Sequence, residues 1–127
     1  MKHQGKRILS LCIILTLLLL LVGCAGQKNA TVQFEFVVTH SDGSVKTFQI
    51  ETDAANLADA LKAESLVRES ESAGLYNTVD GETASWDDGE QWWKFSLNGE
   101  ELAVGIDSIT PANGDTVEAV FTVGFGG

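Results

Sequence analysis

The sequence predicts an α+β fold in which one main helix packs on a mixed or antiparallel sheet, and three observations predict it. Two segments with period-2 patterning, 31–39 and 45–51, flank a turn cluster. One alanine-rich stripe at helical spacing follows them. The stretch 91–123 then carries two further period-2 runs joined by turn signals. Strands before and after a single helix are the signature of a one-layer sheet with helical cover.

The N-terminal hairpin is the clearest element. Val32, Phe34, Phe36 and Val38 alternate with Gln33, Glu35, Val37 and Thr39, which gives a strand with an apolar and a more polar face. Ser41-Asp42-Gly43-Ser44 is a turn cluster. A second strand over Val45 to Glu51 directs Phe48 and Ile50 to the buried side. Thr52 or Asp53 is then placed to cap a helix. Ala54, Leu57, Ala58 and Leu61 form its apolar stripe, which ends near Glu64 or Ser65 after about three turns.

From Leu66 to Glu90 the periodicity weakens. Leu66 and Val67 read as a short strand or as an extension of the helix, and Glu69 to Gly74 as loop. Leu75 to Val79 fits a short strand, followed by the Asp80-Gly81 turn and the polar turn Ser85 to Glu90. Beyond it Trp93, Phe95 and Leu97 alternate with Trp92, Lys94 and Ser96. Asn98-Gly99 follows, and both residues tolerate the positive φ of a type I′ hairpin turn. After Pro111 and Asn113-Gly114, the residues Val117, Ala119, Phe121 and Val123 mark a closing strand. N-terminal hairpin, helix, C-terminal hairpin and closing strand give, in outline, a β-grasp-like arrangement.

The first residues stand apart from this fold. Lys2, Lys6 and Arg7 precede an apolar run from Ile8 to Val22. At about 15 residues the run is short for a spanning helix, which needs roughly 20, and it fits the apolar region of a signal peptide. It ends in Leu21-Val22-Gly23-Cys24, which resembles the lipobox of bacterial lipoprotein precursors. The resemblance implies cleavage after residue 23, lipidation of Cys24, and anchoring in the lipid bilayer on the extracytoplasmic face of the cell membrane. Residues 24–30 would be the lipidated cysteine and a short linker, and 31–125 the folded domain. Cys12 would leave with the signal, so the domain has no disulfide to lean on and must stand on its apolar core. The chain carries 18 acidic against 8 basic residues, a net charge of −10. Cleavage removes three of the basic ones and makes the rest more acidic still. Such a surface repels phosphate, which argues against nucleic acid as a partner.

The order Trp92-Trp93, Asn98-Gly99, Gly105-Ile106-Asp107, Pro111 and Gly114-Asp115 resembles the C-terminal β domain of the transcobalamin and intrinsic factor family. Bacterial lipoproteins with this transcobalamin-like domain, the DUF4430 family, share the layout over roughly Thr31 to Phe125. The resemblance implies a β-grasp-like fold of the soluble-ligand-binding kind, with cobalamin or a related cofactor as ligand. In the vitamin carriers a large helical domain covers the other side of cobalamin, and the present sequence shows no such segment. A partner protein supplying the second wall, a different ligand, or a purely adhesive role are the three consequences.

Individual residues sharpen these readings. Trp92 and Trp93 point to opposite faces; Trp93 shares the parity of Phe95 and Leu97 and belongs in the core, whereas Trp92 offers an exposed ring to a ligand or to a cross-strand neighbour. Tyr76 and Trp86 lie in the weakly patterned segment expected beside this strand and are candidate ligand contacts, Trp86 being either a contact residue or a lid over the core edge. Leu102 and Gly105 follow the hairpin where the carrier family presents backbone groups to the vitamin, and Gly105 permits close approach or bends the strand. His40, the sole histidine after Cys24, has only Asp42 nearby and reads as a surface residue. Asp80, Glu82, Asp87, Asp88 and Glu90 lack the register of a calcium loop and read as solvated charge. No catalytic pairing, phosphate loop or metal-helix motif is present, so no enzyme activity, intrinsic cofactor or metal is expected. The sequence thus reads as a lipid-anchored module for a small soluble ligand, with a membrane transporter as partner by family analogy. The alternative is a cell-surface structural or adhesion module that binds a protein through its sheet edge.

Overall fold

Alternation of large apolar and polar residues along β1 (Val32–Thr39) and β2 (Val45–Thr52) builds an antiparallel hairpin in which Phe36 faces Phe48 and Phe34 faces Ile50. In the computed structural model, which describes residues 30–125, this hairpin supplies two strands of a five-stranded sheet. The signal segment, Cys24 and all of the linker but Ala30 lie outside the described residues. β6 (Gln91–Leu97), β7 (Glu100–Glu101) and β8 (Thr116–Val123) complete the sheet in the order β2-β1-β8-β6-β7. β8 runs parallel to β1 and antiparallel to β6, so the sheet is mixed.

One face of this sheet is the core. Phe34, Phe36, Val38, Ile50, Trp93, Val117 and Ala119 are buried on it, with Phe48, Phe95, Leu97 and Phe121 packed around them. α1 (Leu57–Ala63) lies on that face and buries Leu57, Ala58, Ala60 and Leu61. The helix is two turns rather than three, and neither Thr52 nor Asp53 caps it. Thr52 is still in β2, where its hydroxyl accepts from the Ala54 N–H at 3.0 Å. Asn56 is the cap: its backbone is extended and its side-chain oxygen accepts from Asp59 N–H at 2.9 Å. At the other end Ser65 takes a left-handed φ of 57°, and Leu66 N–H reaches back to the Leu61 carbonyl.

Leu66 leads into a strand, not a longer helix. β3 (Val67–Glu69), β4 (Tyr76–Val79) and β5 (Glu82–Thr83) form a separate three-stranded sheet instead of joining the larger one. Val67 and Val79 bury its inner side against the helix end. The Asn98-Gly99 turn has φ of 51° and 86°, the type I′ signature expected. Asn98 also ties the hairpin to β8, donating to Asp115 at 3.0 Å and accepting from Thr116 N–H at 2.8 Å. Val123 keeps the parity of Val117 and Ala119 but is 66% exposed, because it lies at the end of β8, paired with Gln91 beyond the buried positions. Among the described residues no helix is long and apolar enough to cross a membrane.

Candidate functional site

β6 loses its neighbour halfway along. β7 pairs only with Ser96 and Leu97, and the Leu102 N–H still donates to the Phe95 carbonyl at 2.9 Å before the chain turns away. Backbone groups alternate sides along a strand. The N–H and C=O of Trp93 therefore point to the same edge as the Phe95 carbonyl, where β7 does not reach. At this edge lies a concave groove of ≈ 180 Å³. Its walls include Tyr76 from the small sheet, Trp92, Trp93 and Phe95 from β6, and Leu102 and Gly105 from the connection beyond the hairpin. Wider depressions occur elsewhere, one of ≈ 410 Å³ beside Lys62, Arg68 and Thr78. That one mixes charged and hydroxyl side chains with Leu66 and Val67 and has no aromatic wall, while the β6 groove gathers aromatic and aliphatic walls, the commoner lining of small-molecule sites.

Each residue singled out in the sequence has a definite place. Tyr76 lines the groove with its ring buried and the Lys62 ammonium 5.2 Å from the ring centre. Trp93 is 6% exposed, and its indole N–H donates to the Glu82 carbonyl at 3.1 Å. Trp92 is half-buried and donates to the Gly124 carbonyl at 3.0 Å. Leu102 and Gly105 sit opposite β6. Gly105 has an ordinary extended backbone and begins a short 3-10 turn, Ile106–Ser108, so it does not bend a strand. What it supplies is space: a Cβ there would meet the Asp107 carboxylate at 2.7 Å. Trp86 lies outside the groove. Its loop folds back on itself through Glu90 N–H to the Trp86 carbonyl at 2.8 Å, which carries the indole, 44% exposed, onto Phe125.

His40 is not a surface residue. Its side chain is 13% exposed, with Nε2 2.8 Å from Asp80 Oδ2 and Nδ1 2.8 Å from Glu82 Oε1. The contacts with Asp80 and then Glu82 raise its pKa above 6.5. Burial alone would push Asp80 up, but hydrogen bonds from His40 and Lys46 hold it below its ordinary value. Glu82 is held down first by the Ser41 hydroxyl, which donates to it, and then by His40. The cluster joins the tip of the β1–β2 hairpin to the small sheet. The imidazole also meets the Trp93 indole edge-to-face at 5.9 Å, so it backs the groove's buried wall. Sequence reading missed it because the carboxylates lie about forty residues downstream of His40.

A small α+β domain with a mixed sheet and an open edge groove is the class of protein so defined. The family described as "Domain of unknown function (DUF4430)" matches residues 54–122, and the chain belongs to it. No curated protein matches the sequence. Among solved structures, a candidate metal-binding protein from Ruminococcus gnavus is similar at 30% identity and a TM-score of 0.69, over 74% of this chain and 99% of that one. Haptocorrin in complex with Cbi is similar in fold, with 15% identity and a TM-score of 0.57, over 76% of this chain and 26% of haptocorrin. The transcobalamin-like resemblance read from the sequence therefore holds at the level of fold.

Proposed function

We propose that the protein is an extracytoplasmic binding module, anchored in the cell membrane through a lipid on Cys24, that captures a small soluble ligand in the groove along β6. The single observation that carries this reading is the groove itself. Apolar walls from Tyr76, Trp92 and Leu102 meet an edge where the Trp93 backbone can bond a ligand. The β-grasp topology belongs to the same reading and is supported by the helix after the first hairpin and by the parallel pairing of the first and last strands.

Cobalamin or a related cofactor is the leading ligand, supported by the fold shared with haptocorrin. A groove of ≈ 180 Å³ is below the roughly 300–1,000 Å³ of sites that enclose a drug-sized ligand. The chain thus supplies one wall, and a membrane transporter or another partner closes the other side. A metal ligand, suggested by the description of the Ruminococcus gnavus relative, fits less well. Among the described residues no group of three or more His, Cys, Asp or Glu side chains is placed to hold a metal ion, and in the His40 cluster both ring nitrogens already face carboxylates.

Calorimetric titration of the full chain, held in maltoside micelles, with cobalamin and with cobinamide tests the reading. Saturable heat that Leu102→Arg abolishes is the expected result. Absence of heat with either corrinoid, with or without a partner transporter, contradicts it. A protein partner lost on blocking the sheet edge would then favour the adhesion reading.

A further inference from the structure

A second surface lies at the far end of β6 and is made of rings. Phe125, 80% exposed, stands between two indoles: its centroid is 4.8 Å from that of Trp86 and 5.7 Å from that of Trp92. The ring planes are inclined by 40° and 43°, so the three do not stack flat and cover one another. Trp92 has spent its only polar atom, the indole N–H, on the Gly124 carbonyl. What it retains for a ligand is its π face. The negative quadrupole of such a face attracts a cation and gives little to an anion or a neutral polar group.

Charge around the rings points the same way. Asp87, Asp88 and Glu90 lie on the loop that carries Trp86, all three exposed, and no ion pair among the described residues involves them. Glu90 lies beside Gly124, the residue before Phe125, its Oε2 3.5 Å from where a Cβ on Gly124 would stand. Lys94, two residues beyond Trp92 on the same face of β6, is the opposing charge, and three carboxylates outweigh it. An apolar patch edged by carboxylates is complementary to a group that is both greasy and positive. A strongly hydrated ammonium or metal ion would keep its water, while a methylated ammonium sheds it cheaply and presents methyl groups to the rings.

We propose that the Trp86–Phe125–Trp92 surface binds a small organic cation of the quaternary-ammonium class, free in solution. The site shares Trp92 with the β6 groove but is built on Trp86 and Phe125, which the groove lacks.

The test titrates the full chain, in maltoside micelles at low salt, with choline and in parallel with 3,3-dimethylbutan-1-ol, its neutral isostere, and follows tryptophan fluorescence and heat. A saturable response to choline, with affinity roughly tenfold above that for the isostere, is expected for a cation over several rings. Added sodium chloride should weaken it. Phe125→Ala and Trp86→Ala should each remove the preference. Glu90→Gln, which leaves the rings in place, should weaken choline binding without changing the response to the isostere. Equal affinity for the two probes, or no saturable response to choline in a chain whose circular dichroism is unchanged, would overturn the proposal.

Discussion

His40 shows what a single side chain does here, and it titrates in an accessible range. Because Asp80 and Glu82 raise its pKa above 6.5 in the folded chain, the stability it adds is complete below 6.5 and is lost as pH rises through the raised folded value. Asp80 and Glu82 behave oppositely. Their values are held below 3.8 and 4.5, so their contribution is present above the unfolded values and is lost as pH falls through the lowered ones. Urea midpoints across pH 5 to 9 should therefore fall on the alkaline side, and His40→Gln should flatten that limb. A variant as pH-dependent as the parent would show that the cluster does not couple to folding. The residue types of this cluster are plain in the sequence, but their convergence is not. His40 meets its partners only because the β1–β2 hairpin tip and the β4–β5 turn fold together, which no local pattern encodes.

Elements were legible where a period or a turn chemistry was strong. β1, β2, β6 and β8 follow from alternation, and the type I′ turn follows from Asn98-Gly99. The small sheet was legible only in part: Leu75 to Val79 read as a short strand and β4 is Tyr76–Val79, but β3 and β5 are three and two residues long, too short to show a period. The helix was placed correctly by its stripe, but its start was set by Asn56, whose capping signal competed with those of Thr52 and Asp53. Two substitutions test this scale by chemical denaturation. Ser65 sits in the left-handed region at the helix end, so Ser65→Gly should stabilise the fold by about 0.5–1 kcal/mol. Leu61 is fully buried beneath the sheet, so Leu61→Ala should cost about 2–5 kcal/mol. A helix of seven residues has little stability of its own. A loss well under 1 kcal/mol at Leu61 would mean that the helix is not docked as described.

For the whole molecule, the mixed sheet and single helix set an edge groove at the point where β7 stops short, and the family and fold comparisons agree on the domain type. The sequence pointed to Tyr76, Trp92, Leu102 and Gly105, and the fold brings these four to one groove. Trp86 was grouped with them by type, yet its loop turns it toward Phe125 instead. That separation could not be read from the chain, because it depends on a loop hydrogen-bonded to itself and to the end of β8. A small ligand docked against the open edge of β6 is what the proposed function requires. Amide hydrogen exchange at Trp93, followed by NMR while the full chain in maltoside micelles is titrated with cobinamide, tests it most directly. Saturable slowing of exchange at Trp93, absent in Leu102→Arg, is the predicted result; exchange at Trp93 that stays unchanged through the titration would contradict it.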